Sequence, residues 1–182
     1  MHRHPVLDLL RQHARGALDE REAAMIAATT RFVEEHADCL LRSQVSGHLT
    51  GSAWVVDASR KQTLLTHHHK LDRWLQLGGH ADGDPNLLAV ALREAEEESG
   101  LTRLRVVSKE VFDVDRHRIP ARGDEPEHWH YDLRFMIEAD PAEPLVVTSE
   151  SKDLAWVEVD QVNRLNPSES MARLVRKTQG GV

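Results

Sequence analysis

The sequence predicts an α/β fold in which the strands of a mixed β-sheet surround one central helix. From residue 46 onward, short segments rich in β-branched and aromatic residues follow one another, separated by turn residues. Such segments are typical of strands. One segment among them, residues 84–99, has apolar residues at helical spacing instead. The chain before residue 46 has helical spacing only, so a helical extension is expected in front of an α/β domain.

Residues 1–45 are predicted to be this N-terminal helical extension. Gly16 separates a short first helix from a longer second helix. Asp19 is a suitable N-cap for the second helix, and Glu22 stands at the capping-box position. We expect the extension to dock on the main domain, residues 46–182, or on a second subunit, so a homodimer is a reasonable assembly.

The main domain is predicted to begin with two strands, in HLTGSAWVVD and KQTLLTHHH. The segment LQLGGHADGDPN is predicted to be a loop. Asp84 is expected to cap the central helix with Pro85 at its first position, and Gly100 is expected to end it. Three more strands are predicted in RLRVVSKEVFDVDRHRI, HWHYDLRFMIEA and DLAWVEV. A short helix capped near Ser168 is predicted to follow them.

Charge and composition exclude several classes of function. The 182 residues carry a formal net charge of −7, which argues against a general binder of nucleic acid or of anionic membranes. No segment approaches the roughly 20 apolar residues of a membrane span. The single cysteine, Cys39, can form no internal disulfide. We therefore expect a cytoplasmic protein with no nucleic-acid and no membrane partner.

The end of the central helix is unusually acidic. The segment LREAEEESGL places four glutamates close to the helix C-terminus, where the helix dipole disfavours each by about 0.3–1 kcal/mol. At about 100° per residue, Glu94, Glu97 and Glu98 share one face, whereas Glu96 points away. An apolar stripe of Leu88, Ala91, Leu92 and Ala95 borders that face. Carboxylates beside a core favour a bound cation, and a solvated acidic helix without an ion is the alternative.

The segment from Gly78 to Leu101 resembles the signature of the Nudix hydrolase family. That signature has a glycine, a glutamate six positions later, and then Arg-Glu-apolar-any-Glu-Glu-any-Gly-apolar. Counted from Gly79, the later residues that match are Arg93, Glu94, Ala95, Glu97, Glu98, Gly100 and Leu101. Pro85 stands where the signature has its first glutamate, which in the family supports the loop and helix more than the chemistry.

This resemblance implies a Nudix-like α/β/α sandwich for residues 46–182 and a metal-dependent pyrophosphohydrolase activity. The expected substrate is a small nucleotide-like diphosphate, a nucleoside diphosphate linked to another group. Glu94, Glu97 and Glu98 would hold Mg²⁺, or Mn²⁺ in its place, with Glu97 and Glu98 counted among the catalytic residues. The alternative is a catalytically weak Nudix domain that binds a nucleotide or metabolite as a regulator. Pro85 is the feature that favours this alternative.

The family resemblance also implies a further acid ahead of a tryptophan-bearing strand. Glu150 is the first choice as general base or extra metal ligand, and Asp153 is the second. A plain loop acid is the alternative for Glu150. Trp74 or Trp129 is a candidate to stack on a base. The predicted substrate-binding residues, for each of which a structural or solvent role is the alternative, are Arg73, Lys70, His117, Arg118 and His130.

The chain has twelve histidines, with clusters in THHHK and HWHYD. A histidine-rich segment can bind a transition metal. Strand alternation would split such clusters between two faces, so scattered surface histidines are the favoured interpretation. Because the resemblance to the Nudix family also implies oxygen ligands, we expect no tightly bound zinc.

Overall fold

The computed structural model of the protein describes residues 3–16, 19–69, 71–123, 125–149 and 151–180. In these ranges the strands form a mixed sheet accompanied by helices. The strands are β1 (Gly47–Val56), β2 (Gln62–His68), β3 (Arg73–Leu75), β4 (Leu77–His80), β5 (Arg105–Val106), β6 (Asp113–Ile119), β7 (His128–Glu138) and β8 (Ser151–Glu158). Their order is β3-β2-β1-β7-β5, with β4 beside β1, β6 beside β7 and β8 beside β2.

The helices confirm the predicted α/β class and the helical N-terminus. They are α1 (His4–His13), α2 (Glu20–Glu35), α3 (Leu87–Ser99), α4 (Val162–Leu165) and α5 (Glu169–Gln179). Ser168 caps α5 as expected, because its side chain accepts a hydrogen bond from the backbone N–H of Met171. None of the described helices is long and apolar enough to cross a membrane.

Two predicted elements have different bounds. The single strand expected over RLRVVSKEVFDVDRHRI is divided into β5 and β6, and the expected glycine-rich loop contains β4. Glycine weakens a strand signal in sequence because it offers no side chain to pack. Pairing with a neighbouring strand compensates for this weakness, and β4 pairs with β1.

The chain forms two compact units. The first comprises Met1–Ser52, Gly79–Ala91 and Ser108–Phe135. In it, α2 packs on β6, and Phe32 stacks on Tyr131 with the ring centroids 4.1 Å apart. The helical extension thus docks on the strands that follow it. Placing a domain boundary at residue 45 stays a prediction.

Within the first unit, buried polar groups tie the N-terminal helices to each other and to β6. Asp19 caps α2 as predicted. The buried Glu22 carboxylate lies 2.7 Å from His13 Nε2 and accepts a hydrogen bond from the backbone N–H of Val114 at 3.3 Å. Cys39, after α2, is completely buried, and burial raises the pKa of its thiol to about 11.

The second unit comprises Ala53–Gly78, Leu92–Val107 and Met136–Val182. Strand β2 pairs along its whole length with β8, which places Trp156 opposite Leu64. The C-terminal helix is anchored where Trp54 Nε1 donates to Thr178 Oγ1 at 2.9 Å. The prediction of a strand bearing Trp156 is therefore confirmed.

Two glycines permit close approaches at the ends of α3. A Cβ at Gly51 would lie 2.6 Å from the carbonyl oxygen of Leu87, so only glycine lets β1 approach the start of the helix. Gly100 ends the helix with φ of +74°, as predicted. A Cβ there would lie 2.7 Å from Val146 Cγ2.

Candidate functional site

Helix α3 begins two residues later than the sequence suggested. The expectation that Asp84 caps the helix and Pro85 opens it is wrong, because the helix starts at Leu87. Asn86 takes the cap position, with its Oδ1 accepting a hydrogen bond from the backbone N–H of Ala89 at 3.2 Å. Asp84 Oδ1 instead accepts from the N–H of Asn86 at 2.8 Å, in the turn before the helix. Pro85 therefore lies in that turn, outside the helix.

The glutamates of α3 differ in exposure. Glu98 is buried, with 8% of its surface exposed, whereas Glu97 and Glu96 are exposed. Glu94 is half-buried and accepts a hydrogen bond from Arg93 Nη2 at 3.0 Å. The predicted glutamate face, Glu94, Glu97 and Glu98, thus runs from a buried carboxylate to an exposed one.

The apolar stripe beside the glutamate face is buried only in part, because Leu88 and Leu92 are half-buried. Ala91 and Ala95 have no exposed surface. Burial of such small side chains brings the helix backbone close to its neighbours. Glu98 and Glu94 are consequently held at the margin of the core, whereas Glu97 faces solvent.

The structure describes only one of the two acids predicted to act from the loop before β8. Glu150 lies outside the described residues. Asp153 is exposed on β8 opposite His67, and its Oδ1 accepts a hydrogen bond from the backbone N–H of Leu154 at 2.9 Å. That Glu150, rather than Asp153, is the general base or extra metal ligand stays a prediction.

The predicted substrate-binding residues that the structure describes belong to both compact units, and their role stays a prediction. Lys70 also lies outside the described residues. Arg73 is exposed on β3, in the second unit. Arg118 is exposed on β6, in the first unit, where it pairs with Glu127.

Both tryptophans considered for base stacking already carry a partner on the ring. The Arg116 guanidinium lies 4.1 Å from the centre of the Trp129 ring. A cation over an indole face is a stabilising arrangement. His67 stacks on Trp74 with the ring centroids 5.0 Å apart.

The first unit contains a group of histidines that we call the histidine cluster: His48, His80, His117, His128 and His130. They come from β1, β4, β6 and β7. The centroid of the His48 ring lies 4.8 Å from that of His80 and 4.9 Å from those of His128 and His130. His117 adjoins His130 at 5.4 Å.

The interior of the histidine cluster disfavours positive charge. Burial, and then the neighbouring His128, lower the pKa of His48. Burial and the nearby Arg42 lower the pKa of His80 to about 4. Burial, and then His117, also lower the pKa of His130. These three rings are therefore neutral at neutral pH.

A buried ion network adjoins the histidine cluster. Arg134 donates to Asp132 at 2.8 Å and to Asp113 and Asp115 at 3.2 Å each. Burial lowers the pKa of Arg134, but the three carboxylates outweigh this effect and raise it. Asp115 Oδ2 also lies 3.2 Å from His117 Nδ1, which links the network to the histidine cluster.

The histidine cluster departs from the expectation of scattered surface histidines. Alternation along β7 puts His128 and His130 on the same face, with Trp129 between them. His48 and His80 join them only through the pairing of β1 with β7 and of β4 with β1. The THHHK segment lies outside the histidine cluster. Its His67 Nε2 lies 2.9 Å from Asp72 Oδ1.

Residues 48–178 of the sequence match the family described as the NUDIX domain. The match covers most of the chain and includes α3 with its glutamates. The protein therefore belongs to the Nudix family. No curated protein matches the sequence.

Solved structures share the fold at low sequence identity. The dihydroneopterin triphosphate pyrophosphohydrolase of E. coli is 15% identical, with a TM-score of 0.57 over 71% of this chain and 92% of its own. The C. elegans Ap4A hydrolase in a binary complex is 18% identical, with a TM-score of 0.52 over 72% and 95%. The NUDIX domain of Shewanella oneidensis NrtR complexed with ADP ribose is 14% identical, with a TM-score of 0.53 over 82% and 96%. The expected Nudix-like fold is thus confirmed.

Proposed function

We propose that the protein is a metal-dependent Nudix pyrophosphohydrolase that cleaves a diphosphate bond in a small nucleotide-like substrate. The observation that carries this proposal is the glutamate face of α3. Its three carboxylates share one face of a helix whose adjoining alanines are buried, and two of them, Glu94 and Glu98, lie at the margin of the core. Together with membership of the Nudix family, this arrangement supports a site for divalent cations.

The donor atoms of the glutamate face fit Mg²⁺. The three side chains offer only carboxylate oxygens, which are the ligands that Mg²⁺ prefers. A buried carboxylate such as Glu98 is costly beside further negative charge, and a cation would offset that cost. When bound, Mg²⁺ neutralises charge on the phosphate oxygens and activates water, and Mn²⁺ can replace it.

Other residues of the chain would serve the substrate. Glu150 is the proposed general base, with Asp153 as the second choice. Phosphate or base contacts are proposed for Lys70, Arg73, His117 and Arg118. His130, also predicted to bind substrate, lies inside the histidine cluster and makes a poorer candidate. The cytoplasmic location and the homodimer stay predictions.

The substrate class rests on chemistry that the relatives share. Ap4A, ADP ribose and dihydroneopterin triphosphate, named with the solved structures, all contain a phosphoanhydride bond. We propose that this bond is the group cleaved here. A panel of nucleoside diphosphate derivatives and dinucleoside polyphosphates, incubated with Mg²⁺ or Mn²⁺ and read by mass spectrometry, would identify the products.

A pair of variants on α3 makes the test specific. Glu98→Gln should lower kcat by about 100-fold or more, because losing a metal ligand removes several kcal/mol of transition-state stabilisation. Glu96→Gln, the same change at an exposed position of the same helix, should leave kcat within about twofold of the wild type. EDTA should abolish turnover and Mg²⁺ should restore it.

Two outcomes would contradict the proposal. Full activity in metal-free buffer would exclude the metal-dependent mechanism. Tight nucleotide binding without turnover of any member of the panel would favour the alternative of a regulatory binding domain.

A further inference from the structure

We propose that the histidine cluster binds a transition metal ion, with Zn²⁺ as the first choice. This site is separate in kind from the carboxylates of the proposed hydrolase, and it revises the expectation from sequence that the protein holds no zinc. One donor atom each from His48, His128 and His130 lies within 4.8 Å of the others. In the described part of the chain, this is the group of three metal-ligating side chains whose donor atoms converge.

His48 is the strongest single indication of a ligand. Its surface is 2% exposed, and neither ring nitrogen has a partner at full hydrogen-bond geometry, although the backbone of Gln44 acts on the ring as a hydrogen-bonding group. A buried polar group without a partner costs about 1–3 kcal/mol. The ring is surrounded by three other imidazoles at 4.8–4.9 Å, so a metal ion between these rings would satisfy one of its nitrogens.

The tautomers of two neighbouring histidines are set for metal binding. His128 Nδ1 lies 2.9 Å from the carbonyl oxygen of Pro126, which can only accept, so Nδ1 carries the proton. Its Nε2 then carries a lone pair, which faces His130 Nε2 at 3.2 Å. His117 Nδ1 stands in the same relation to the Asp115 carboxylate. A carbonyl or carboxylate behind the ring is the usual partner of a histidine that ligates a metal.

One distance within the cluster agrees with tetrahedral coordination, and the donor atoms of all three histidines lie within 4.8 Å, so they would have to draw closer around an ion. Two nitrogens bound to one zinc at about 2.0–2.1 Å lie about 3.3 Å apart in tetrahedral geometry. The Nε2 atoms of His128 and His130 are 3.2 Å apart. A hydrogen bond between the two rings would explain this one distance, but it would leave His48 without a side-chain partner.

The charges around the histidine cluster oppose one another, since Arg42 acts against positive charge at His48 and His80, whereas the adjoining ion network favours a cation. The adjoining network has three buried carboxylates, Asp113, Asp115 and Asp132, against the single guanidinium of Arg134. Its formal charge is negative, and Asp115 connects it directly to His117. Imidazole ligands suit Zn²⁺, Cu²⁺ and Ni²⁺ rather than Mg²⁺. Zn²⁺ is the first choice because it accepts tetrahedral nitrogen ligands and has no redox chemistry.

The first test needs no variant. Protein prepared without an affinity tag would be loaded with Zn²⁺ in excess Mg²⁺, dialysed against metal-free buffer, and measured by elemental analysis and X-ray absorption. We expect about one zinc per chain, with at least three imidazole nitrogens at about 2.0–2.1 Å. The proposal would be overturned if the protein retained no zinc, or if the retained zinc had only oxygen ligands. The histidine cluster would then be stabilised by water and hydrogen bonds alone.

Variants then locate the ion. His48→Phe, which keeps an aromatic ring without donor atoms, and His130→Ala should each weaken zinc binding by at least about 100-fold, since loss of a ligand exceeds loss of an outer partner. His67→Ala, outside the cluster, is the matched control and should bind zinc as the wild type does. Each variant would be shown to keep a native unfolding transition. Zinc binding that survives both cluster substitutions but is lost in Glu98→Gln would refute the assignment, and it would leave the proposed hydrolase untouched.

Discussion

The glutamate face of α3 and the histidine cluster are two candidate metal sites built in opposite ways. The glutamate face offers charged oxygen atoms from one helix and runs from the buried Glu98 to the exposed Glu97. The histidine cluster offers neutral nitrogen atoms from four strands, and three of its donor atoms, from β1 and β7, already lie within 4.8 Å of one another. Like charges keep carboxylates apart until a cation arrives, whereas neutral rings can pack together beforehand. The difference shows why a hard and a borderline metal ion demand different scaffolds.

The largest expected effect tests whether the glutamate face needs an acid from outside the helix. Glu150→Gln should lower kcat by about 100-fold or more, the usual scale for loss of a general base. Asp153→Asn should have a much smaller effect, because Asp153 is exposed on β8 and engaged with its own neighbour's backbone. Steady-state kinetics on the best substrate would compare the kcat values of the two variants with that of the wild type. Reversed effects would exchange the two roles, and two negligible effects would place the base elsewhere.

The next prediction concerns Arg134 and the buried ion network that adjoins the histidine cluster. Arg134→Met should lower the free energy of unfolding by about 3–5 kcal/mol, because it leaves three buried carboxylates without their cation. Arg105→Met, which removes an exposed pair with Glu138, should cost less than about 1 kcal/mol. Denaturant unfolding of both variants measures the difference. Equal costs would mean that the buried acids are stabilised by other groups, and the charge argument for a cation would fail.

The smallest effect concerns the stability of the glutamate face without metal. Glu98→Gln should raise the free energy of unfolding in EDTA by about 0.5–1.5 kcal/mol, since it removes a charge from the helix end and a repulsion with Glu94. The corresponding rise in Tm is about 1–5 °C. Excess Mg²⁺ should raise the Tm of the wild type more than that of the variant.

Four melting curves provide this comparison, for the wild type and Glu98→Gln, each in EDTA and in Mg²⁺. A metal-free variant clearly less stable than the metal-free wild type would show that protein donors satisfy Glu98. The carboxylate would then be structural, and the glutamate face would not be a metal site.

The two regions also differ in how far the sequence predicts them. Glu94, Glu97 and Glu98 are three and four residues apart, so helical periodicity alone puts them on one face. His48 and His128 are 80 residues apart and meet only because β1 pairs with β7. Strand pairing depends on the whole sheet, and no local pattern specifies it. The expectation that alternation would split HWHYD overlooked that His128 and His130, two residues apart, share a face, whereas the places of His48 and His80 depend on strand pairing.

The start of α3 was also predicted incorrectly, because the sequence offers two possible cap residues there. Asp84 and Asn86 both have residue types that cap helices, and sequence alone does not rank them. The structure assigns Asp84 to the turn and Asn86 to the cap, with Pro85 between them. Pro85, which stands where the signature has its first glutamate, therefore lies in a turn and is not a residue of the helix.

The buried Cys39 makes the protein convenient for spectroscopy. Its thiol has no exposed surface and stays protonated at pH 8, so it should resist maleimide and other thiol-directed reagents. A cysteine introduced at an exposed position, such as Lys61 in the second unit, can then be labelled alone without removing the native one. A second introduced cysteine in the first unit would give a pair of probes, and the distance between them would report directly on the mutual arrangement of the two units in solution.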